Sequence, residues 1–243
     1  MALQFSQAGD ALGNNTVSGT SFQSSTAPVT IAVWINAPWS GGTGVQSYVG
    51  LYGEQQRISS GTTAAIQFGS KTANTFNVWT WGGGVLVDST ISMTPYVNQW
   101  AFVAYTYDGT THRCYVNGVI GGTSTNAQIA GTFDRVYLNG YTNGAANETS
   151  SFKLDTYNYY TRALSANEIL TMYTVQGNRH GIIHNSKCRY EFFEGAVGSN
   201  ITTVKNLTDY TASYSDLIPI VPAGTSRVTL LDGYASANLR PGI

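Results

Sequence analysis

The fold class predicted is all-β, with antiparallel strands packed as a two-sheet sandwich, and three observations predict it. From residue 1 to about 160, short runs of β-formers alternate with Gly, Asn, Ser and Thr punctuation, the pattern of many antiparallel strands. One run, Thr30-Ile31-Ala32-Val33-Trp34-Ile35, is apolar on both parities, so both of its faces need cover, as at the centre of a sandwich. The composition is 42% hydrophobic and 12% aromatic with only 10% charged, which leaves small polar residues to build the surface and favours sheets over helices.

The individual elements follow in order. Trp34 is a core residue of the doubly apolar strand. Phe76-Asn77-Val78-Trp79-Thr80-Trp81 alternates, with Phe76, Val78 and Thr80 on one face and Asn77, Trp79 and Trp81 on the other, before Gly82-Gly83-Gly84 ends it. Trp100 to Tyr107 then runs into Asp108-Gly109, returns from His112 to Val116, and turns again at Asn117-Gly118 into Val119-Ile120. Tight hairpin turns need positive φ, which Gly adopts freely and Asn or Asp tolerates, so three sequential antiparallel strands are expected. One helix is predicted: Ser165-Ala166-Asn167-Glu168 is a capping box ahead of Ile169, Leu170, Met172 and Tyr173, and the helix should be pinned to the sandwich edge.

After Gln176-Gly177-Asn178 the character changes. Arg179 to Ile183 and Cys188 to Phe193 read as isolated strands, and from Leu217 the chain is Pro-punctuated, with no paired-strand signal. The division predicted is a body of residues 1–176 and a C-terminal extension of 177–243 that ends as an irregular arm. An irregular segment becomes ordered only where contacts offset its conformational entropy.

Several function classes are disfavoured. A net charge of -1, with twelve basic and thirteen acidic residues scattered singly, carries no footprint for nucleic acid or anionic lipid. No apolar run approaches the roughly 18 residues that span a bilayer, and the first residues resemble no export signal. Cys114 and Cys188 match no zinc spacing; Cys114 reads as a small buried hydrophobe, with a bridge to Cys188 as the alternative. His180 and His184 are four apart, but the intervening Gly181-Ile182-Ile183 reads as strand, where that spacing does not make a metal pair.

Trp100, Tyr107-Asp108-Gly109 and Tyr115-Val116-Asn117-Gly118, followed by Leu154-Asp155 and Tyr160 to Glu168-Ile169, resemble the laminin G-like and concanavalin A-like lectin/glucanase superfamily. Leu3-Gln4-Phe5 with Gly9-Asp10 adds a weaker match, and the resemblance covers about the first 175 residues. It implies a two-sheet antiparallel jelly roll. It also implies a structural calcium near Asp10 and Asp155, although Ser6 and Gln7 stand where the family carries a further acid and a glycine, and Phe152 where it carries a glycine. Calcium takes six to eight oxygens, so two carboxylates would need carbonyl and water help. Glucanases of the superfamily place paired carboxylates on one strand face about 5 Å apart. No such run exists here, and Glu191 and Glu194 have opposite parity, so no enzyme activity is expected.

Two binding functions are expected. The first is a bacteriophage capsid decoration protein on the exterior of the virion, docked on the major capsid protein or on copies of itself. In that reading Ile218, Ile220, Val221, Leu230 and Leu231 of the arm supply assembly contacts. The alternative is an extracellular, phage-tail or bacterial-surface carbohydrate-binding module. There Trp79, Trp81, Trp39 and Tyr141 would stack on sugar rings while Asn77 and Asn139 bond hydroxyls.

Overall fold

A computed structural model describes residues 2–5, 12–14, 23–40, 46–52, 65–72, 74–80, 84–133, 135–138, 151–175, 188–191, 217–219 and 229–231. In chain order the strands are β1 (Ala2–Phe5), β2 (Leu12–Asn14), β3 (Gln23–Ser24), β4 (Val29–Asn36), β5 (Gln46–Tyr52) and β6 (Ala65–Ser70). Next come β7 (Asn77–Trp79), β8 (Val85–Asp88), β9 (Trp100–Tyr107), β10 (His112–Val116), β11 (Val119–Ser124) and β12 (Thr132–Phe133). They are followed by β13 (Arg135–Leu138), β14 (Phe152–Tyr160), helix α1 (Ala166–Thr174), β15 (Cys188–Glu191), β16 (Leu217–Pro219) and β17 (Thr229–Leu231).

Two large antiparallel sheets result, as the sequence predicts. The first runs β11-β10-β9-β4-β14-β1-β17, with β15 also on β14; the second runs β16-β2-β13-β5-β6-β7-β8. Between them lies the main core, where Leu3, Phe5, Ile31, Val33, Val103 and Tyr105 of the first sheet meet Val49, Ile66, Phe68, Val78 and Leu86 of the second.

The doubly apolar strand is covered twice. Odd-numbered residues of β4 enter the main core, while Ala32 and Trp34 join Trp100, Phe102, Ala104, Tyr115 and Tyr160 in a second apolar cluster on the outer face. Ala32 and Ala104 are cross-strand partners, and their short side chains leave a trough that α1 fills with Ile169, Met172 and Tyr173. Tyr173 stacks on Trp34 at 5.7 Å between centroids. The helix expected at the sheet edge therefore lies across the sheet face, because the outer side of β4, β9 and β10 is itself apolar and must be buried.

The capping box is present, with Glu168 N–H donating to Ser165 Oγ at 3.3 Å and Ser165 N–H donating to Glu168 Oε2 at 2.8 Å. Arg162 Nη2 donates to the other Glu168 oxygen at 2.7 Å, and together these bonds hold the carboxyl at about 2. Thr30 ties the cap to the sheet: its hydroxyl donates to the Arg162 carbonyl and accepts from the Leu164 amide, both at 2.8 Å.

The two expected turns differ. Asn117 and Gly118 both have positive φ, at 49° and 79°, and form the tight two-residue turn the sequence predicts. The first turn is longer: β9 and β10 are joined by residues 108–111, with Asp108 Oδ1 accepting from the amides of Thr110 and Thr111 and Oδ2 from Arg113. Gly109, at φ 99°, takes the left-handed position. Arg113, ahead of the two amides, holds the Asp108 carboxyl at about 2.

Two short strands of the C-terminal extension correct the expectation of no paired strand after Leu217. β16 pairs with β2 and β17 with β1, so Ile218, Leu230 and Leu231 stand in strands of this chain's own sheets, opposite Gly13, Leu3 and Ala2. Three-residue pairings of this kind carry no local sequence signal, since partners more than 200 residues away decide them. Ile220 and Val221 lie outside the described residues, as do the expected strand at 179–183 with His180 and His184. Cys114 is a buried free thiol, pushed up to about 12 mainly by burial. Cys114, Tyr105, Ile31, Tyr159 and Cys188 occupy one cross-strand row. Four strand spacings, roughly 19 Å, separate the two cysteines, well beyond disulfide reach.

Candidate functional site

The two faces of β6 and β7 are chemically different. Ile66 and Phe68 of β6 and Val78 of β7 enter the main core. The intervening Gln67, Asn77 and Trp79 therefore point to the opposite, outer side, because successive strand residues alternate. Gln67 pairs with Trp79 across the strands and Gly69 with Asn77, while Asn77 pairs with Asp88 of β8. Lys71, just beyond β6, sets its ammonium 5.9 Å from the Trp79 ring centroid. An aromatic ring, two amides, a carboxylate and an ammonium thus share one sheet face.

The geometry of this row is tightly specified. Asn77 Oδ1 accepts from the Lys71 amide at 2.8 Å and from Thr75 Oγ1 at 2.9 Å, and Asn77 Nδ2 donates to Asp88 Oδ1 at 2.8 Å. Asn77 is 4% exposed and Trp79 2% exposed. Two expectations are thereby corrected. Asn77 is the hub of the turn between β6 and β7, with its amide already engaged, so it is not a free partner for sugar hydroxyls. Trp79 has no ring face open to solvent, so it is not an exposed stacking platform; Lys71 is half-buried and Asp88 is exposed at the margin of the same row.

Trp39 is also corrected. It is fully buried in the main core, edge-on to Phe76 at 6.1 Å, with a left-handed φ of 46°. Trp81, Tyr141, Asn139 and Asp10 lie outside the described residues. Asp155 is 1% exposed and sits at the β14 bulge, where β1 pairs up to Leu154 and β15 begins at Thr156. Among the described residues no three His, Cys, Asp or Glu side chains cluster as metal ligands. The described donor set therefore does not by itself meet calcium's need for six to eight oxygens.

Sequence reasoning overlooked Gln67, Lys71 and Asp88. The signal for Gln67 was a lone polar residue inside Ala65-Ile66-Gln67-Phe68, flanked on both sides by core-forming positions. Lys71 and Asp88 lie beyond strand alternation, since only sheet pairing brings them beside Trp79 and Asn77.

Two antiparallel sheets packed face to face around one apolar core define the class of β-sandwich proteins. Residues 11–170 match the Laminin G 3 family model, described as concanavalin A-like lectin/glucanases superfamily, and the chain belongs to that family. Among solved structures it is similar to a heptameric SAP-like pentraxin from Limulus polyphemus, at 14% identity and TM-score 0.55, with 91% of this chain and 95% of the pentraxin covered. It is also similar to a candidate carbohydrate-binding protein from Bacteroides ovatus, at 16% identity and TM-score 0.58. That match covers 96% of this chain but 60% of the Bacteroides protein. No curated protein matches the chain. Among the described residues, no helix is long and apolar enough to cross a membrane.

Proposed function

We propose that the chain is a non-catalytic carbohydrate-binding module whose ligand sits at the Lys71 and Asp88 margin of the outer face of β6, β7 and β8. The observation that carries this reading is the pair of reachable charges, half-buried Lys71 and exposed Asp88, at the margin of the outer face of a lectin-like sheet, held there by the enclosed Trp79 and Asn77. Saccharides are recognised by such a mixture, with aromatic faces against the apolar side of the ring and charged or amide groups bonding hydroxyls. Lys71 and Asp88 make the first polar contacts, and Trp81 is retained as the stacking ring. Tyr141 and Asn139 are retained as further ligand contacts. Two further described carboxylates serve the scaffold, Asp108 holding a turn and Glu168 a helix cap, which favours binding over hydrolysis. The setting that fits is extracellular or the exterior of a particle.

A glycan array followed by calorimetry tests this. The wild-type chain binds a defined saccharide, Trp81→Ala abolishes binding, and Lys71→Ala weakens it about tenfold with the circular dichroism spectrum unchanged. Binding that is indifferent to both substitutions, or no binding at all, overturns the reading. A structural calcium held by Asp155 and Asp10 belongs to the same proposal, and millimolar calcium then raises Tm in the wild type but not in Asp155→Asn.

A second reading is a phage capsid decoration protein docked through the C-terminal region. It is supported by the shortness of β16 and β17, whose three-residue edge pairings a neighbouring subunit or the major capsid protein could replace. Cosedimentation with isolated capsids, lost on truncation after residue 176, is its expected result.

A further inference from the structure

His112 is fully buried at the start of β10, with its ring stacked on Tyr107 at 4.3 Å and 12° and on Tyr105 at 5.8 Å and 20°. Its two nitrogens have unlike partners. Nε2 is 2.8 Å from the Asn126 backbone carbonyl, which can only accept, so Nε2 carries the proton. Nδ1 is 2.7 Å from Tyr105 Oη and accepts a hydrogen bond from the phenolic O–H. The neutral ring is thus satisfied on both sides.

A second proton on Nδ1 would set two donors against each other. Tyr105 would have to turn its O–H into the main core, where its ring lies edge-on to Phe68 at 5.9 Å, and a buried donor left without an acceptor is costly. Burial also lowers the His112 pKa and raises that of Tyr105. The charged groups nearby do not outweigh burial: Asp108, in the preceding turn, favours the cation only in part and is itself bonded to Arg113 of His112's own strand, and Asp88, the titratable residue of β8, is bonded to Asn77. β11 and residues 125–131 contain no titratable side chain.

What His112 holds is a strap between the sheets. Asn126 Nδ2 donates to the Val85 carbonyl at 2.9 Å, Ser124 Oγ bonds the Leu86 carbonyl, and Ser25 Oγ donates to the Ile129 carbonyl at 2.7 Å. Residues 124–131 therefore tie β8, at one edge of the second sheet, to β11, at the edge of the first.

We propose that His112 is an acid-sensitive catch: in its neutral form it anchors the strap at Asn126, and on protonation the ring leaves its slot between the tyrosines and the seam between β8 and β11 opens. The catch is intact above the ordinary histidine pKa of about 6.5 and weakens as the pH falls below it, because the unfolded or open state then binds the proton the closed state rejects.

Hydrogen exchange of the full chain, corrected for the intrinsic pH dependence of exchange, tests the catch. Between about pH 7.5 and pH 5, peptides covering 85–90 and 124–131 are expected to lose at least roughly tenfold protection, while β4 and β9 stay protected. Nuclear magnetic resonance titration of the imidazoles, with His112 assigned by His112→Gln, should give it a midpoint below that of an exposed histidine. His112→Gln, which keeps a donor for Asn126 but cannot titrate, should abolish the acid response. An unchanged seam at pH 5, or an acid response that persists in His112→Gln, overturns the proposal. Should His112→Gln fail to fold, the wild-type titration decides alone: an ordinary His112 midpoint refutes the catch.

Discussion

The outer face of the first sheet and the outer face of the second are built from the same kind of alternating strand, yet they serve different ends. On the first, Ala32, Trp34, Phe102, Ala104 and Tyr115 form an apolar surface closed by Ile169, Met172 and Tyr173 of α1. On the second, Gln67, Asn77 and Trp79 belong to neither apolar cluster, and the Asn77 amide bonds to neighbours in the turn and on β8. Non-directional apolar burial holds one side together, whereas directional hydrogen bonds fix the turn geometry on the other.

Substitutions can break or sharpen that contrast. Trp34→Ala, which empties the space beneath Tyr173, should cost about 3–5 kcal/mol in urea unfolding. Gly122→Ala should cost about 1–3 kcal/mol, because its Cβ would overlap the Asp88 carbonyl where the two sheets meet, and the unfolding midpoint measures it. Glu168→Ala removes half of the capping box and should cost about 1 kcal/mol by the same measurement.

Acid tests the same scaffold from another direction. The Glu168 and Asp108 carboxyls are held at about 2 in the folded chain, against about 4 when unfolded. Their contribution is complete above about pH 4 and disappears as the pH falls towards 2, since the unfolded chain takes up the protons first. Thermal melts should show this loss in wild type and a smaller one in Glu168→Gln. Lys71→Ala, on the polar face, should change stability by no more than about 0.5 kcal/mol while reducing saccharide binding. A cost equal to that of Trp34→Ala would erase the distinction between the faces.

The local features of this fold were legible because their causes are local. Asn117-Gly118 specifies its turn through positive φ, and Ser165 with Glu168 marks the helix start through orphan amides; both stand where the sequence predicts. The site was less legible. Alternation put Asn77 and Trp79 on one face correctly, but it could not show that Asn77 spends its amide on Lys71, Thr75 and Asp88, or that Trp79 is sealed. His112 gave no signal at all, since its meaning depends on a carbonyl fourteen residues away.

By itself the sequence determined the strand alternation, the hairpin turns, the capped helix and membership of a lectin-like β-sandwich family. Tertiary structure alone decided that α1 lies over a sheet face, that β16 and β17 complete the two sheets, and that Trp39 and Trp79 are enclosed. The physical reason is range: turns and caps are settled by neighbours within a few residues, whereas burial and edge pairing are settled by partners brought together only when the whole chain has folded.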